Sequence, residues 1–197
     1  MPQDSLDYWH LALEERHRLI RQMASGHTGE QLERLVETIA SAMSKGGRVL
    51  LFGNGGSAAQ AQHAAAEWVG RFLAERRPLP AVALTCDTSA LTAIGNDYGF
   101  DSVFERQVEA LAIPGDIVIG ISTSGASRNV ARGLRAARRR KATAVAVLGR
   151  RKGVVGRASQ FVLQIPSESV PLIQEAHCCL FHVLCGEVDR RLSCATR

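Results

Sequence analysis

The stretch LLFGNGGSAAQAQHAAAE, residues 50–67, decides the fold, because a glycine-rich turn joins its short apolar run to an alanine-rich segment. An apolar run, a turn and a helical segment in this order indicate a strand, a loop and a helix. His63 and Glu67 stand four residues apart in the helical part, so their side chains share one face. The stretch is therefore either a tight turn before a core helix or an anion site with catalytic groups beyond it.

Five short apolar runs alternate with helical segments along the chain. They are RVLLFG (48–53), AVALT (81–85), DIVIGIS (116–122), ATAVAVLG (142–149) and FVLQIP (161–166). Nearly continuous apolar strands that alternate with helices indicate a parallel sheet covered on both faces. We therefore predict an α/β fold with a doubly wound five-stranded sheet in the flavodoxin-like order 2-1-3-4-5, whose ligand crevice lies between strands 1 and 3.

Helical segments precede and follow this sheet. Residues 5–24 and 28–45 carry apolar residues at helical spacing, namely Leu6, Trp9, Leu13 and Ile20, then Leu32, Leu35, Ile39 and Met43. We expect residues 1–46 to form an N-terminal helical extension that packs on the core and in an oligomer. Residues 47–197 are expected to form one domain, which ends in a long, partly buried helix.

Composition narrows the class of protein. A chain of 197 residues that is 46% hydrophobic can bury one substantial core. Its apolar runs all fall well short of the roughly 20 residues that span a bilayer, so we expect a cytoplasmic protein without a membrane partner. The five cysteines are an odd number without C-x-x-C spacing, which favours reduced core thiols over disulfides.

The net charge of +5 is concentrated in RGLRAARRRK and GRRKG, and the first of these holds the basic cluster Arg135, Arg138, Arg139, Arg140 and Lys141. Cations at the end of a helix complement its dipole, so a solvated helix end is the favoured interpretation of this cluster, and DNA or protein binding is the alternative. Only 5% of the residues are aromatic, which leaves few rings on which bases could stack. Composition therefore argues against a nucleic-acid partner.

Two loops at the predicted crevice combine glycine with small hydroxyl residues. GNGGSAAQ (53–60) follows the first strand and STSGASRN (122–129) follows the third, each where a helix should begin. Free backbone N–H groups and the helix dipole favour an anion at such positions. Neither loop has the P-loop or dinucleotide-binding glycine pattern, so we expect a compact phosphate ester and no nucleotide cofactor.

Polar groups in the last helical segment add candidate metal ligands. The nitrogen and oxygen donors of His63, Glu67, Gln174 and His182 would suit a zinc-type ion. However, Gln174 and His182 are eight residues apart, about 12 Å along an ideal helix. Cys178 and His182, at i and i+4, are the better pair by spacing, and this alternative stays open at this point.

Four long motifs in order resemble the sugar isomerase (SIS) domain family over residues 30–192. They are GNGGSAAQAQHAAAE, LTCDTSALTAIGNDYGFDSVFERQVEAL, PGDIVIGISTSGASRNV and IQEAHCCLFH. The resemblance implies a cytosolic homotetramer with active sites near subunit interfaces. It also implies an aldose–ketose isomerase that converts sedoheptulose 7-phosphate to D-glycero-D-manno-heptose 7-phosphate, the first step of ADP- or GDP-heptose biosynthesis.

The same resemblance implies roles for individual residues. Glu67 and His182 would be the acid/base pair, and one zinc ion per subunit would be held by His63, Glu67, Gln174 and His182, which the family favours over Cys178. The implied substrate-binding residues are Asn54, Gly55, Gly56, Ser57, Glu67, Asn96, Asp97, Ser122, Thr123, Ser124, Ser127 and Gln174.

Two other functions remain open at this stage. One is a non-catalytic tetrameric adaptor that resembles the replication-initiator-associating proteins of the same fold, although the retained Glu67 and His182 favour an enzyme. The other is an isomerase of a different sugar phosphate, since the chain departs from the usual family pattern next to the expected pocket. These departures are Trp68, Gly95, Ala126 and Arg128.

Overall fold

The computed structural model describes residues 5–194, with side chains for residues 6–193. Residues 1–4 of the predicted N-terminal extension and residues 195–197 of the predicted domain lie outside this range. The helices are α1 (Ser5–Ser25), α2 (His27–Ser44), α3 (Gly56–Val69), α4 (Thr88–Tyr98), α5 (Val103–Leu111), α6 (Arg128–Arg139), α7 (Gly153–Ala158) and α8 (Val170–Cys194). The strands are β1 (Val49–Gly53), β2 (Ala81–Ala83), β3 (Ile117–Ser122), β4 (Thr143–Leu148) and β5 (Phe161–Gln164), and a single 3-10 turn, Phe100–Ser102, precedes α5.

The five strands form one parallel sheet in the order β2-β1-β3-β4-β5, which confirms the predicted topology. In the central pair, Val49 is in register with Ile117 and Gly53 with Ile121. The second strand is shorter than predicted, since its pairing with β1 ends at Ala83. Two residues further on, Thr85 accepts hydrogen bonds from the side-chain amide of Gln62 of α3. The carboxyl ends of β1 and β3 therefore lie side by side, as a phosphate site formed by the two loops after these strands requires.

Alternating strand residues supply two separate cores, one on each face of the sheet. In β1, Val49 and Leu51 join a cluster with α2, α3 and α8, whereas Leu50 and Phe52 join a cluster with α5 and α6. The Phe52 ring stacks on Phe104 of α5 at a centroid distance of 4.8 Å. Burial of each such side chain contributes about 1.5–3 kcal/mol, so the two clusters fix the sheet between its helical layers.

The N-terminal helix contributes little to the core of this chain. Trp9, Leu13 and Ile20, on its apolar face, are exposed. The residues of α1 that enter the core are instead Leu19 and Met23. Part of the apolar face of α1 is thus not covered by the rest of this chain. None of the helices in the described range is long and apolar enough to cross a membrane.

The cysteine prediction is partly wrong. Cys86, Cys178, Cys179 and Cys185 are free thiols as expected, but of these four only Cys185 is buried. Burial is the largest cause of the raised pKa of the Cys185 thiol, which keeps it protonated. The fifth, Cys194, has a side chain outside the described residues.

The basic end of α6 is partly neutralised by α5. Arg139 donates to Glu105 and to Glu109, and Arg132 donates to the same Glu105. Burial alone would raise the pKa of Glu105, but the hydrogen bonds from Arg139 and Arg132 lower it below its usual value. These ion pairs join two neighbouring helices, so Arg139 of the basic cluster has a structural role within the fold.

His177 lies on the core side of α8. Its side chain is fully buried, and among the described residues neither ring nitrogen has a hydrogen-bond partner of normal geometry. Burial lowers the pKa of His177 to about 4, and the backbone of Leu148 opposes this shift by a smaller amount. The imidazole is therefore neutral at pH 7 and acts as a core side chain.

This burial predicts a pH-dependent stability. Since the unfolded chain binds a proton near the ordinary His pKa and the folded chain does not, stability is complete above about pH 6.5 and falls as the pH drops towards 4. Through His177, the free energy of unfolding of the wild-type protein should fall by about 2.5 kcal/mol between about pH 7 and pH 4.5. His177→Leu should abolish this part of the fall. Urea unfolding of both proteins with a chelator present measures this, and parallel pH profiles would contradict it.

Candidate active site

The first candidate loop is held to the second by a pair of asparagines. Asn54 follows β1 and Asn129 lies in the first turn of α6, and each side-chain amide donates to the other's oxygen at 2.9 Å. Asn129 is almost fully buried, and its oxygen also accepts the N–H of Val130. Sequence reasoning missed Asn129, although an asparagine at the first turn of a helix beside a phosphate-type loop was a signal for it.

Gly55 and Gly56 shape the start of α3. Gly55 has φ +55° and ψ −121°, a conformation that L side chains rarely adopt. A Cβ on Gly56 would collide with the side-chain amide of Gln174, so α8 approaches this turn closely. Gln60 also donates to the carbonyl oxygen of Gln174. The predicted residue Gln174 therefore lies over the first turn of α3.

The second loop gathers hydroxyl groups between β3 and α6. The Oγ atoms of Ser122 and Ser127 are 3.1 Å apart, and Ser122 Oγ accepts the N–H of Gly125. Ser124 is exposed and its Oγ accepts the N–H of Ala126, while Thr123 is half-buried. Small hydroxyls and a helix start in one turn are typical of a site for an anion.

The acid/base candidates of α3 and α8 lie next to each other. The Nε2 atoms of His63 and His182 are 2.8 Å apart. Glu67 Oε1 lies 3.6 Å from Nε2 of His63, and the Glu67 carboxylate is mostly buried with 22% of its side chain exposed. The Phe72 ring stacks on His182 at 5.5 Å, which limits the orientation of that imidazole.

The short distance between the two histidine nitrogens has two chemical explanations. Either one imidazole donates a proton to the other, or both present lone pairs towards a shared cation. The Sγ atom of Cys178 completes a group with His63 and His182 in which all three ligand atoms lie within 4.8 Å of one another. The side chains present thus have the donor chemistry of a zinc-type site.

Asn96 and Asp97 lie on the surface of this chain. Both are exposed on α4, where Asn96 donates to the Asp97 carboxylate. Among the described residues, no hydrogen bond joins either side chain to the histidine pair. Of the family departures expected to border the pocket, Trp68 is instead fully buried in the core.

A buried ion pair ties the two site-bearing helices together. Arg76 Nε donates to Asp189 of α8 at 2.8 Å, and both side chains are less than a tenth exposed. The same guanidinium donates to the carbonyl oxygens of Glu67, Trp68 and Gly70 at the end of α3. Arg76 therefore caps the helix that carries His63 and Glu67 and joins it to the helix that carries His182.

The chain is similar to proteins of known family and structure. A model of the SIS domain family matches residues 13–149. The phosphoheptose isomerase of Aquifex aeolicus is 57% identical over 160 residues, 81% of this chain and 84% of the relative. That of Geobacter sulfurreducens is 56% identical over 156 residues, 79% of this chain and 82% of the relative.

Solved structures extend the similarity over nearly the whole chain. Phosphoheptose isomerase GmhA from Neisseria gonorrhoeae matches with a TM-score of 0.87 and 40% identity, covering 95% of this chain and all of that one. A phosphoheptose isomerase from Francisella tularensis matches with a TM-score of 0.91 and 33% identity over the same shares. The fold and the similarity define a SIS-domain protein. The chain belongs to the phosphoheptose isomerase family, and it is an isomerase rather than a non-catalytic adaptor.

The ion pair between α3 and α8 yields a prediction. Asp189→Ala leaves the Arg76 charge buried without its partner, so the free energy of unfolding should fall by about 3–5 kcal/mol. The double variant Arg76→Met/Asp189→Leu should recover much of this, because it leaves neither charge unpaired. Denaturant unfolding at one fixed protein concentration measures both, and a loss under about 1 kcal/mol for Asp189→Ala, as for an exposed pair, would refute the prediction.

Proposed function

We propose that this isomerase converts sedoheptulose 7-phosphate to D-glycero-D-manno-heptose 7-phosphate, with Glu67 and His182 as its acid/base pair. The observation that carries the proposal is the meeting of Glu67, His63 and His182 beside two loops with the features of a phosphate site. Relatives more than half identical are named phosphoheptose isomerase, which supports a heptose phosphate over a shorter sugar. The product would enter the synthesis of nucleotide-activated heptose.

Substrate binding is proposed to begin at the phosphate end. Ser122, Thr123, Ser124 and Ser127 would donate hydroxyl hydrogens to the phosphate oxygens. The start of α3, at Asn54 to Ser57, would bind the substrate through backbone N–H groups, with Gln174 beside it. Because α3 runs from this turn towards His63 and Glu67, a phosphate held at its start directs the sugar along the helix.

Proton transfer would then convert the ketose to the aldose through an enediol. Glu67 would remove a proton from C1 while His182 donates one to the carbonyl oxygen at C2, which gives the enediol. Glu67 would return its proton to C2, and His182 would take back the proton of the C1 hydroxyl, so both residues end in their starting states. A mostly buried carboxylate beside an imidazole is suited to this exchange.

Zinc, one ion per subunit, is proposed as the resident metal. The donor chemistry fits, since His63 and His182 aim their Nε2 atoms at each other and a thiol lies beside them. The resemblance adds Glu67 and Gln174 to the proposed ligands. When bound, zinc would polarise the substrate carbonyl and stabilise negative charge on the enediolate.

A cytoplasmic homotetramer is proposed as the working form. Trp9, Leu13 and Ile20 of α1 remain exposed although they are large and apolar, which supports burial against another subunit. Asn96 and Asp97 are exposed on α4, which is consistent with their use in a site shared between subunits.

Two substitutions test the proposed roles. Glu67→Gln and His182→Gln should each lower kcat on sedoheptulose 7-phosphate by at least about 100-fold, because each removes a proton-transfer group. Glu75→Gln, at an exposed carboxylate a short distance along the chain, is the matched control and should keep normal turnover. Size-exclusion chromatography should show the same oligomer for all three variants, and near-wild-type kcat in either site variant would disprove its role.

A further inference from the structure

Asn129 is a buried polar side chain that joins the two candidate loops. It is 2% exposed. Its oxygen accepts hydrogen bonds from the backbone N–H of Val130 and from the side-chain nitrogen of Asn54, and its own nitrogen donates to the Asn54 oxygen, each at 2.9 Å. Asn54 and Asn129 are 75 residues apart in sequence. Their amides therefore tie the loop after β1 to the start of α6.

The backbone of α6 determines which way round the Asn129 amide lies. Val130 is the third residue of α6, and the side chain of the N-cap residue usually accepts the N–H at this position. The N-cap residue here, Ser127, makes no such bond, and Asn129 accepts the Val130 N–H instead. Because an amide accepts a hydrogen bond only through its oxygen, the Asn129 oxygen is held on the side of this backbone donor.

The fixed orientation of Asn129 also fixes that of Asn54. The Asn129 oxygen can bind only the nitrogen of Asn54, and the Asn129 nitrogen can bind only its oxygen. The reverse orientation of Asn54 would place oxygen against oxygen and nitrogen against nitrogen. One N–H and one oxygen lone pair of the half-buried Asn54 amide lie outside the pair. The positions of these two groups are therefore set by Asn129.

We propose that Asn129 is a positioning residue, which orients the Asn54 amide so that its remaining N–H and lone pair bind hydroxyl groups of the sugar. This inference rests on the proposed function, in which Asn54 binds the substrate, and adds a residue to it. A reversed amide would present an acceptor where a donor is needed, and a donor where an acceptor is needed. Asn129 itself is too deeply buried to contact a sugar, so it acts through Asn54.

Asn129→Asp tests this role with little change of shape. The carboxylate keeps an acceptor for the Val130 N–H and suits the start of a helix, so the fold should be retained. It presents two oxygens to Asn54, so it favours neither orientation of that amide. KM for sedoheptulose 7-phosphate should rise about 10-fold or more, with kcat within about 3-fold of normal, because the lost interaction binds substrate and transition state alike. Gln160→Glu, at another amide whose oxygen accepts a backbone N–H, is the matched control and should leave KM unchanged.

A double-mutant cycle separates positioning from a direct or merely structural role. When Asn129→Asp is added to Asn54→Ala, KM should rise by less than about 2-fold further, because the side chain through which Asn129 acts is already gone. An equal rise in both backgrounds would overturn the proposal, since a general loss of structure, or repulsion of the phosphate by the added charge, does not require Asn54. An unchanged KM in Asn129→Asp alone would overturn it as well.

A crystal structure of Asn129→Asp at about pH 8, where a carboxylate is ionised, tests the orientation of Asn54 without turnover. The Asn54 side chain should rotate so that only its nitrogen contacts the new carboxylate, and an unmoved Asn54 would contradict the proposal. Should Asn129→Asp fail to fold, Asn129→Ala replaces it in the cycle and in the crystal, because it also removes the donor to Asn54. A wild-type protein without turnover on sedoheptulose 7-phosphate would contradict the proposed function alone, since the crystal structure still decides whether Asn129 orients Asn54.

Discussion

Parallel pairing of β1 with β3 is the constraint on which the rest of the site depends. Val49 opposes Ile117 and Gly53 opposes Ile121, so both strands end at the same edge of the sheet. Their loops are then close enough for Asn54 and Asn129 to exchange two hydrogen bonds. A shift of this register would separate the loops and move the start of α3, and with it the side chains that α3 carries.

The second requirement is that α8 returns across α3. Gly56 leaves room for the Gln174 amide, which a side chain at position 56 would force to shift. At the other end of the contact, the buried pair of Arg76 and Asp189 joins the end of α3 to α8. Between these two points, His63 and His182 come to 2.8 Å although 119 residues separate them in sequence. The acid/base and metal candidates are thus held at both ends of one helix pair.

Local patterns were sufficient for the sheet and its loops, because apolar runs and glycine-rich turns are short-range signals. They failed where a neighbouring element decides the outcome. Helical spacing predicted an apolar face on α1 but not that Trp9 would stay exposed, and cysteine composition did not predict that Cys179 would be exposed. Asn129 and the placement of Cys178 depend on contacts between distant segments, which no local pattern contains. Gln174 shows the same limit, since its spacing alone did not reveal that it lies over Gly56.

The central claim is that Glu67 and His182 move protons through an enediol on a heptose phosphate. The most direct measurement is to incubate the protein with sedoheptulose 7-phosphate in D2O and examine the product by NMR. We expect the aldose phosphate with deuterium at C2, because the Glu67 carboxylate is partly exposed and can exchange its proton with solvent before returning it. Two results would contradict the enediol mechanism. One is the absence of the aldose, and the other is an aldose that carries the former C1 hydrogen at C2, moved as hydride, with no solvent deuterium even at low conversion.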